Sequence, residues 1–270
     1  MKLSAHFLEG LIVDHHLLSR VFSRAINEGD PQTPIWKRDI SSALGNLKNT
    51  LRVRCRHSPA TYALSMLTTS YLSMILSVFV DDLELLFGKD GIDESQNKYQ
   101  KMQNWAHAGD GREAILHAGQ ILRHLRYVER PLSGFIVVIA YQAGLVLLAY
   151  LHLRNQMEGI IGAVTEEDDL VLNGAEVPHS GSFVQHGLGK LALQYDFRGS
   201  SCTVSPMTPQ VVVQVVMESL FDRGLDIEHS PRLLTSGLVQ LLRDITSGSI
   251  QGGRADTRRI SSHGLGEERF

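Results

Sequence analysis

Between Arg130 and Arg154 the chain reads "RPLSGFIVVIAYQAGLVLLAYLHLR", with no charged residue between the two arginines. A run of about 20 apolar residues is long enough to cross a bilayer core, and it suits equally well a helix enclosed on every side by the rest of a soluble protein. Within the run, Ser133, Gln142 and His152 need polar partners, and Gly134, Ala140, Ala143, Gly144 and Ala149 let neighbouring helices approach closely. Small residues serve packing in membranes too, so the surroundings must decide. With 43% hydrophobic and 20% charged residues the 270-residue chain matches an average globular protein, and it is long enough to enclose a large core. The expectation is a central core helix, opened by Pro131, whose missing N–H fits a first turn, and running to about Met157.

The sequence on either side is amphipathic and helical in period. Phe7, Leu11, Leu17, Leu18, Val21 and Phe22 predict a first helix over 5–26, ended by "NEGDPQTP". Trp36, Ile40, Leu44, Leu47 and Leu51 predict a second, from Ile35 to about Cys55. Ser58 is placed to cap a third that starts at Pro59 and runs unbroken to Phe87, its Ser65, Thr68, Thr69, Ser70, Ser73 and Ser77 bonding back to helix carbonyls. Helices follow over 93–108 and 112–127; the latter sets Ala114, Ala118, Ile121, Leu122 and Leu125 on one face, with His117, Arg123, His124 and Arg126 mostly on the other. After the long helix, an acidic, Gly- and Pro-containing stretch predicts a surface loop with a short extended piece at Leu170 to Leu172, and "GSFVQHGLGKLAL" a short helix and turn. Thr208 before Pro209 and Ser230 before Pro231 open two further helices, and from Thr246 the Gly, Ser and Arg-rich tail predicts disorder. No β-hairpin signal stands out, so the predicted class is all-α: an irregular multi-helix bundle with a long central apolar helix and a disordered C-terminal tail.

Several chemistries are excluded by what the pattern lacks. A net charge of −3, with both signs spread along the chain, gives no basic face for nucleic acid. The two cysteines, Cys55 and Cys202, cannot build a disulfide framework or a thiolate zinc site. "VDDLELL" places Asp81, Asp82 and Glu84 near a helix end, where an isoprenoid-synthase-like enzyme would hold magnesium, but Leu85 stands where one turn on from Asp81 a carboxylate is required. His117 and His124 are seven apart and can share a face, without the His-Glu-x-x-His spacing of a zinc helix. "HGLGKL" lacks the first glycine and the final Ser or Thr of a phosphate-binding loop, and neither "GSSCT" nor "HSGSF" forms a nucleophile elbow. The expectation is a non-enzyme with no catalytic residue and no cofactor or metal in this chain.

One run has a recognisable order of motifs. "EAILHAGQILRHLRYVERPLSGFIVVIAYQAGLVLLAY", Glu113 to Tyr150, resembles the regulatory (middle homology) region that lies C-terminal to the zinc DNA-binding domain of fungal transcription factors. His117, Ala118, Gly119, Gln120, Leu122 and Arg123 match its "HAGQ-x-LR" helix; Pro131 and Ala140 to Tyr150, including Tyr141, match the long apolar helix after it. The preceding serine-rich helix, the 170–193 loop and "SPRLLTSGLVQLLRDI" are similar to flanking parts of that region, so the resemblance covers about 52–245. It implies one helical regulatory domain over 1–245, followed by the 246–270 tail. It further implies a nuclear protein acting in RNA polymerase II transcription through coregulators, a small effector or self-association, without a membrane. In that family DNA is read by a separate N-terminal module that binds zinc; this sequence holds no such module, so DNA contact would come only through a part missing from this chain. The alternatives are the magnesium-dependent isoprenoid-synthase-like enzyme and a membrane-anchored helical protein.

Overall fold

A computed structural model of the chain describes residues 33–54, 58–129, 132–158, 169–174, 180–187, 189–197, 200–221 and 232–247. The helix expected over 5–26, Pro131, the Ser230–Pro231 cap and the tail beyond 247 lie outside the described residues; Thr246, assigned to the tail from sequence, closes a helix. The architecture is mostly helical, as the periodicity predicts. In chain order the helices are α1 (Thr33–Arg54), α2 (Pro59–Ser77), α3 (Val80–Leu86), α4 (Ile92–His107), α5 (Gly109–Leu125) and α6 (Gly134–Glu158). After them come strand β1 (Asp169–Val171), helix α7 (Ser180–His186), strands β2 (Lys190–Phe197) and β3 (Ser200–Val204), and helices α8 (Pro209–Phe221) and α9 (Arg232–Thr246).

The long apolar helix is the centre of this arrangement. Helices α3, α4, α5, α8 and α9 all pack against α6, which explains why it carries no polar face. Ile139, Ala140, Ala143, Leu145, Val146, Leu147, Ala149 and Leu153 are fully buried along it. Its 21-residue window Gly134–Arg154 is long and apolar enough to cross a membrane, yet 78% of the window is already covered by protein. Gly144 marks a close approach: a Cβ there would lie 3.0 Å from Val216 Cγ2 of α8 and 3.1 Å from Leu242 Cδ1 of α9. The one amide within the run is satisfied internally, since the buried Tyr71 hydroxyl of α2 donates to Gln142 Oε1 at 2.7 Å.

The serine-rich helix behaves as expected along its length but not at its end. Thr68, Thr69 and Ser73 donate to the carbonyls of Leu64, Ser65 and Thr69 at 3.0, 2.7 and 2.9 Å. The helix expected to reach Phe87 stops at Ser77; Val78 is extended (φ −154°, ψ 139°), and α3 sets off at 65° to α2. Breaking the helix deprives the Ser77 carbonyl of its backbone donor, and the Trp105 indole of α4 supplies one at 2.8 Å. Ser77 Oγ turns to Glu113 Oε2 of α5 at 3.3 Å. At the other end Ser58 occupies the cap position without capping: its hydroxyl donates to Thr61 Oγ1 rather than accepting from a backbone N–H.

The larger departure from the sequence reading is a three-stranded sheet in the order β1-β2-β3. β1 and β2 pair in parallel, with Leu170 opposite Leu191, and α7 lies in the crossover between them. β2 and β3 form an antiparallel hairpin, Leu193 opposite Val204 and Phe197 opposite Ser200. The "KLAL" stretch, assigned to a helix and turn, is the start of β2. Period-2 alternation of Leu191, Leu193, Tyr195 and Phe197 against Lys190, Gln194 and Asp196 is the strand signal in that stretch. Arg198 and Gly199, between the strands, lie outside the described residues, and as sequence they are a weak hairpin signal beside Asn-Gly or Asp-Gly.

Candidate functional site

Helix α5 carries the residues of the "HAGQ-x-LR" motif, and the structure divides them between three environments. Ala118, Ile121, Leu122 and Leu125 are fully buried, on the side of α5 packed against α2 and α6. Gly119, Gln120 and Arg123 meet the turn that follows β1. A Cβ on Gly119 would lie 2.5 Å from the Leu172 carbonyl oxygen and 2.6 Å from its carbon, so only glycine allows helix and turn to approach this closely. One residue on, Gln120 Nε2 donates to the Leu172 carbonyl at 2.8 Å, and Arg123 Nη1 donates to the carbonyl of Gly174.

The same edge of α5 continues the pattern at both ends. Arg112 Nε donates to Val184 O at 2.7 Å and its Nη1 to His107 O at 2.6 Å, tying the end of α7 to the end of α4. Gly187 (φ 73°) closes α7 beside it, its N–H bonded to Phe183 O at 2.8 Å. Arg126 Nη2 donates to Gln194 O of β2. Residues 112, 120, 123 and 126 lie along one edge of the helix, so four side chains hold four segments by their main-chain carbonyls. The buried Asn173 completes the joint: its Nδ2 donates to Gln194 O, its Oδ1 accepts from Gln194 N, both at 2.7 Å, and Leu172 N donates to Ala192 O at 3.0 Å. The Asn173 amide thus extends the β1–β2 ladder by one side-chain rung.

His117 and His124 lie in the third environment, and here the sequence reading needs correcting for His124. Expected on the polar face, it is 6% exposed, its ring edge-on to Tyr62 of α2 at a centroid distance of 6.0 Å. Burial, with Arg123 and Lys48 adding to it, pushes its pKa down to about 4. His117 is half-buried, and burial together with Lys48 holds it at about 3. Both imidazoles are neutral at pH 7. Lys48, on α1, is itself pushed down to about 8 by burial.

The remaining family-motif positions are core residues. Leu122 is fully buried; Tyr150 is 4% exposed and packs edge-on to Trp105 at 6.4 Å. Tyr141 is buried, and burial, then the Glu84 charge, raises its pKa to about 12. The acidic trio does not converge. Asp82, 9% exposed, pairs with Lys98 Nζ at 2.8 Å and Lys101 Nζ at 3.2 Å, Glu84 pairs with Lys89, and Asp81 faces solvent. Among the described residues no group of three or more His, Cys, Asp or Glu is disposed to hold a metal ion. Comparison of the chain with protein-family models, with curated proteins and with solved structures finds no match.

Proposed function

We propose that this chain is the helical regulatory domain of a fungal-type transcription factor, acting in the nucleus on RNA polymerase II transcription through coregulator or effector contacts. What supports the reading is one observation: the "HAGQ-x-LR" residues and the later 170–193 segment, which the resemblance sets in this order, are joined by Gly119, Gln120 and Arg123. The motif therefore has a physical reason to exist as a unit. The enclosure of α6 by five helices supports a core role for the apolar run over a membrane anchor. DNA would be read by a separate zinc module, and this chain would supply the regulated surface.

The test is to tether residues 1–270 to an unrelated DNA-binding domain upstream of a reporter in a fungal host. A change in transcription, in either direction, that is lost with Gly119→Val is the expected result. An unchanged reporter from a folded, nuclear fusion defeats the regulatory reading, and sequence-specific DNA binding by the isolated chain in a gel-shift assay defeats the separate-module part of it.

A further inference from the structure

Five of the eight prolines follow a serine or threonine: Thr33-Pro34, Ser58-Pro59, Ser205-Pro206, Thr208-Pro209 and Ser230-Pro231. Among the described side chains, the hydroxyls of Ser58, Ser205 and Thr208 can be compared. Ser205 Oγ donates to Asp169 Oδ1 at 2.5 Å, which ties the end of β3 to the start of β1. Thr208 is half-buried and accepts the Val211 N–H at 3.4 Å in the first turn of α8. Ser58 is engaged only within its own turn: it is exposed, as are Pro59 and Thr61, and its hydroxyl donates to Thr61 Oγ1 at 2.8 Å.

Two features suit Ser58 to accept a transferred group. Its backbone is not helical (φ −135°, ψ 89°), as suits a residue before proline, so hydroxyl and proline stand together at the surface and an enzyme's cleft need open only the first turn of α2 to take them. Pro59 has no N–H. A cleft that buries the residue after the acceptor without offering it a hydrogen-bond acceptor therefore admits proline freely and leaves any other residue's N–H unsatisfied. That is the selectivity of a proline-directed protein kinase.

The start of α2 also lacks negative charge. The first helical acceptor, the Ser58 carbonyl, takes the Tyr62 N–H at 2.9 Å, so the N–H groups of Ala60 and Thr61 come too early in the helix for a partner within it. Ser58 does not cap them, and the first turn holds no acidic residue against the positive end of the helix. Ser58 Oγ already stands beside Thr61, the third residue of the helix, so a phosphate on that oxygen brings three acceptors to the place of the missing cap.

We propose that Ser58 is a phosphorylation site for a proline-directed protein kinase, and that the phosphate caps α2. Ser58 Oγ attacks the γ-phosphorus of a magnesium-bound nucleoside triphosphate. The Oγ–P bond forms, the bond from that phosphorus to the β-phosphate oxygen breaks, the nucleoside diphosphate leaves with the electron pair, and the hydroxyl proton passes to the kinase's base. The inference stands apart from the transcriptional reading, because it is measured on the purified chain.

The folded full chain is incubated with a broad-specificity proline-directed kinase and magnesium ATP, and sites and rates are read by mass spectrometry. Ser58 is expected to take phosphate faster than Ser205 or Thr208, and Pro59→Ala to slow Ser58 about tenfold or more, the cost of one unsatisfied N–H. The chain phosphorylated at Ser58 should melt about 2–4 °C above the unmodified one, by a margin that shrinks as salt is raised. Its phosphorus-31 signal should titrate below the second pKa that the same phosphate shows in urea. Ser58→Ala should melt with the unmodified chain, since the serine caps nothing, and should not gain stability from the kinase. A folded chain whose Ser58 stays bare, or is modified as fast in a folded Pro59→Ala variant, overturns the site. A phosphorylated Ser58 that leaves the Tm unchanged or lower, with its phosphate titrating as in urea, overturns the cap.

Discussion

The two sides of α5 are held by different physics. Toward α2 and α6 it presents Ala114, Ala118, Ile121, Leu122 and Leu125, all fully buried, and the attraction is area removed from water and close packing. Toward the β layer it presents Gln120, Arg123 and Arg126, whose partners are main-chain carbonyls at named positions. The first contact is strong and tolerant of which apolar residue makes it; the second is directional, so it fixes where one turn and one strand sit. A bundle could fold with only the first. The second is what makes this motif a motif.

Substitutions on the two sides should therefore differ in kind as well as size. Leu122→Ala, on the packed side, is expected to cost ~2–5 kcal/mol in urea unfolding and to lower the whole transition cooperatively. Gly119→Ala, at the joint, should cost ~1–3 kcal/mol, because the new methyl meets the Leu172 backbone, which cannot swing aside as a side chain can. Gly144→Ala makes the sharpest contrast: its neighbours are the ends of Val216 and Leu242, so it should cost ~1 kcal/mol or less. If Gly144→Ala proves the more damaging of the two, the close approach of α5 to the 172 turn is not as described.

A titration separates the buried histidines from both faces. Because His117 and His124 are held below the ordinary imidazole value, the unfolded chain binds protons that the folded chain does not. Their contribution is full above the unfolded value of about 6.5 and is lost as pH falls through it toward the folded values of about 4 and 3. The urea midpoint should fall between pH 6.5 and 5, before most carboxylates titrate, and His124→Phe should flatten that fall. An unchanged slope in the variant would place His124 in water.

Much of this was legible in the sequence, for reasons that residues make plain. The run from Gly134 to Arg154 could only be a buried or membrane helix, and its small residues foretold close neighbours; Gly144 is where they arrive. Amphipathic period placed α1, α4 and α5 within a few residues. The break at Val78 carried no Gly or Pro, and the donor that satisfies the Ser77 carbonyl there, the Trp105 indole, lies 28 residues away. The β2–β3 hairpin was hidden because the sequence between its strands is Arg-Gly rather than Asn-Gly or Asp-Gly, and because Ala192 interrupts the alternation. His124 was misplaced because helical period alone cannot tell a polar face from a seam between α1 and α2. Cooperation of Gln120, Arg123 and Asn173 is a tertiary fact: their partners lie 52, 51 and 21 residues away.

Whether the polar edge of α5 holds the β layer is measured directly by amide hydrogen exchange in a Gln120→Leu, Arg123→Met double variant. Exchange is predicted to quicken at Leu172 and across 190–194, while the amides of α6 keep their wild-type protection. Wild-type protection at Leu172 and Gln194, or an equal loss throughout α6, would contradict it.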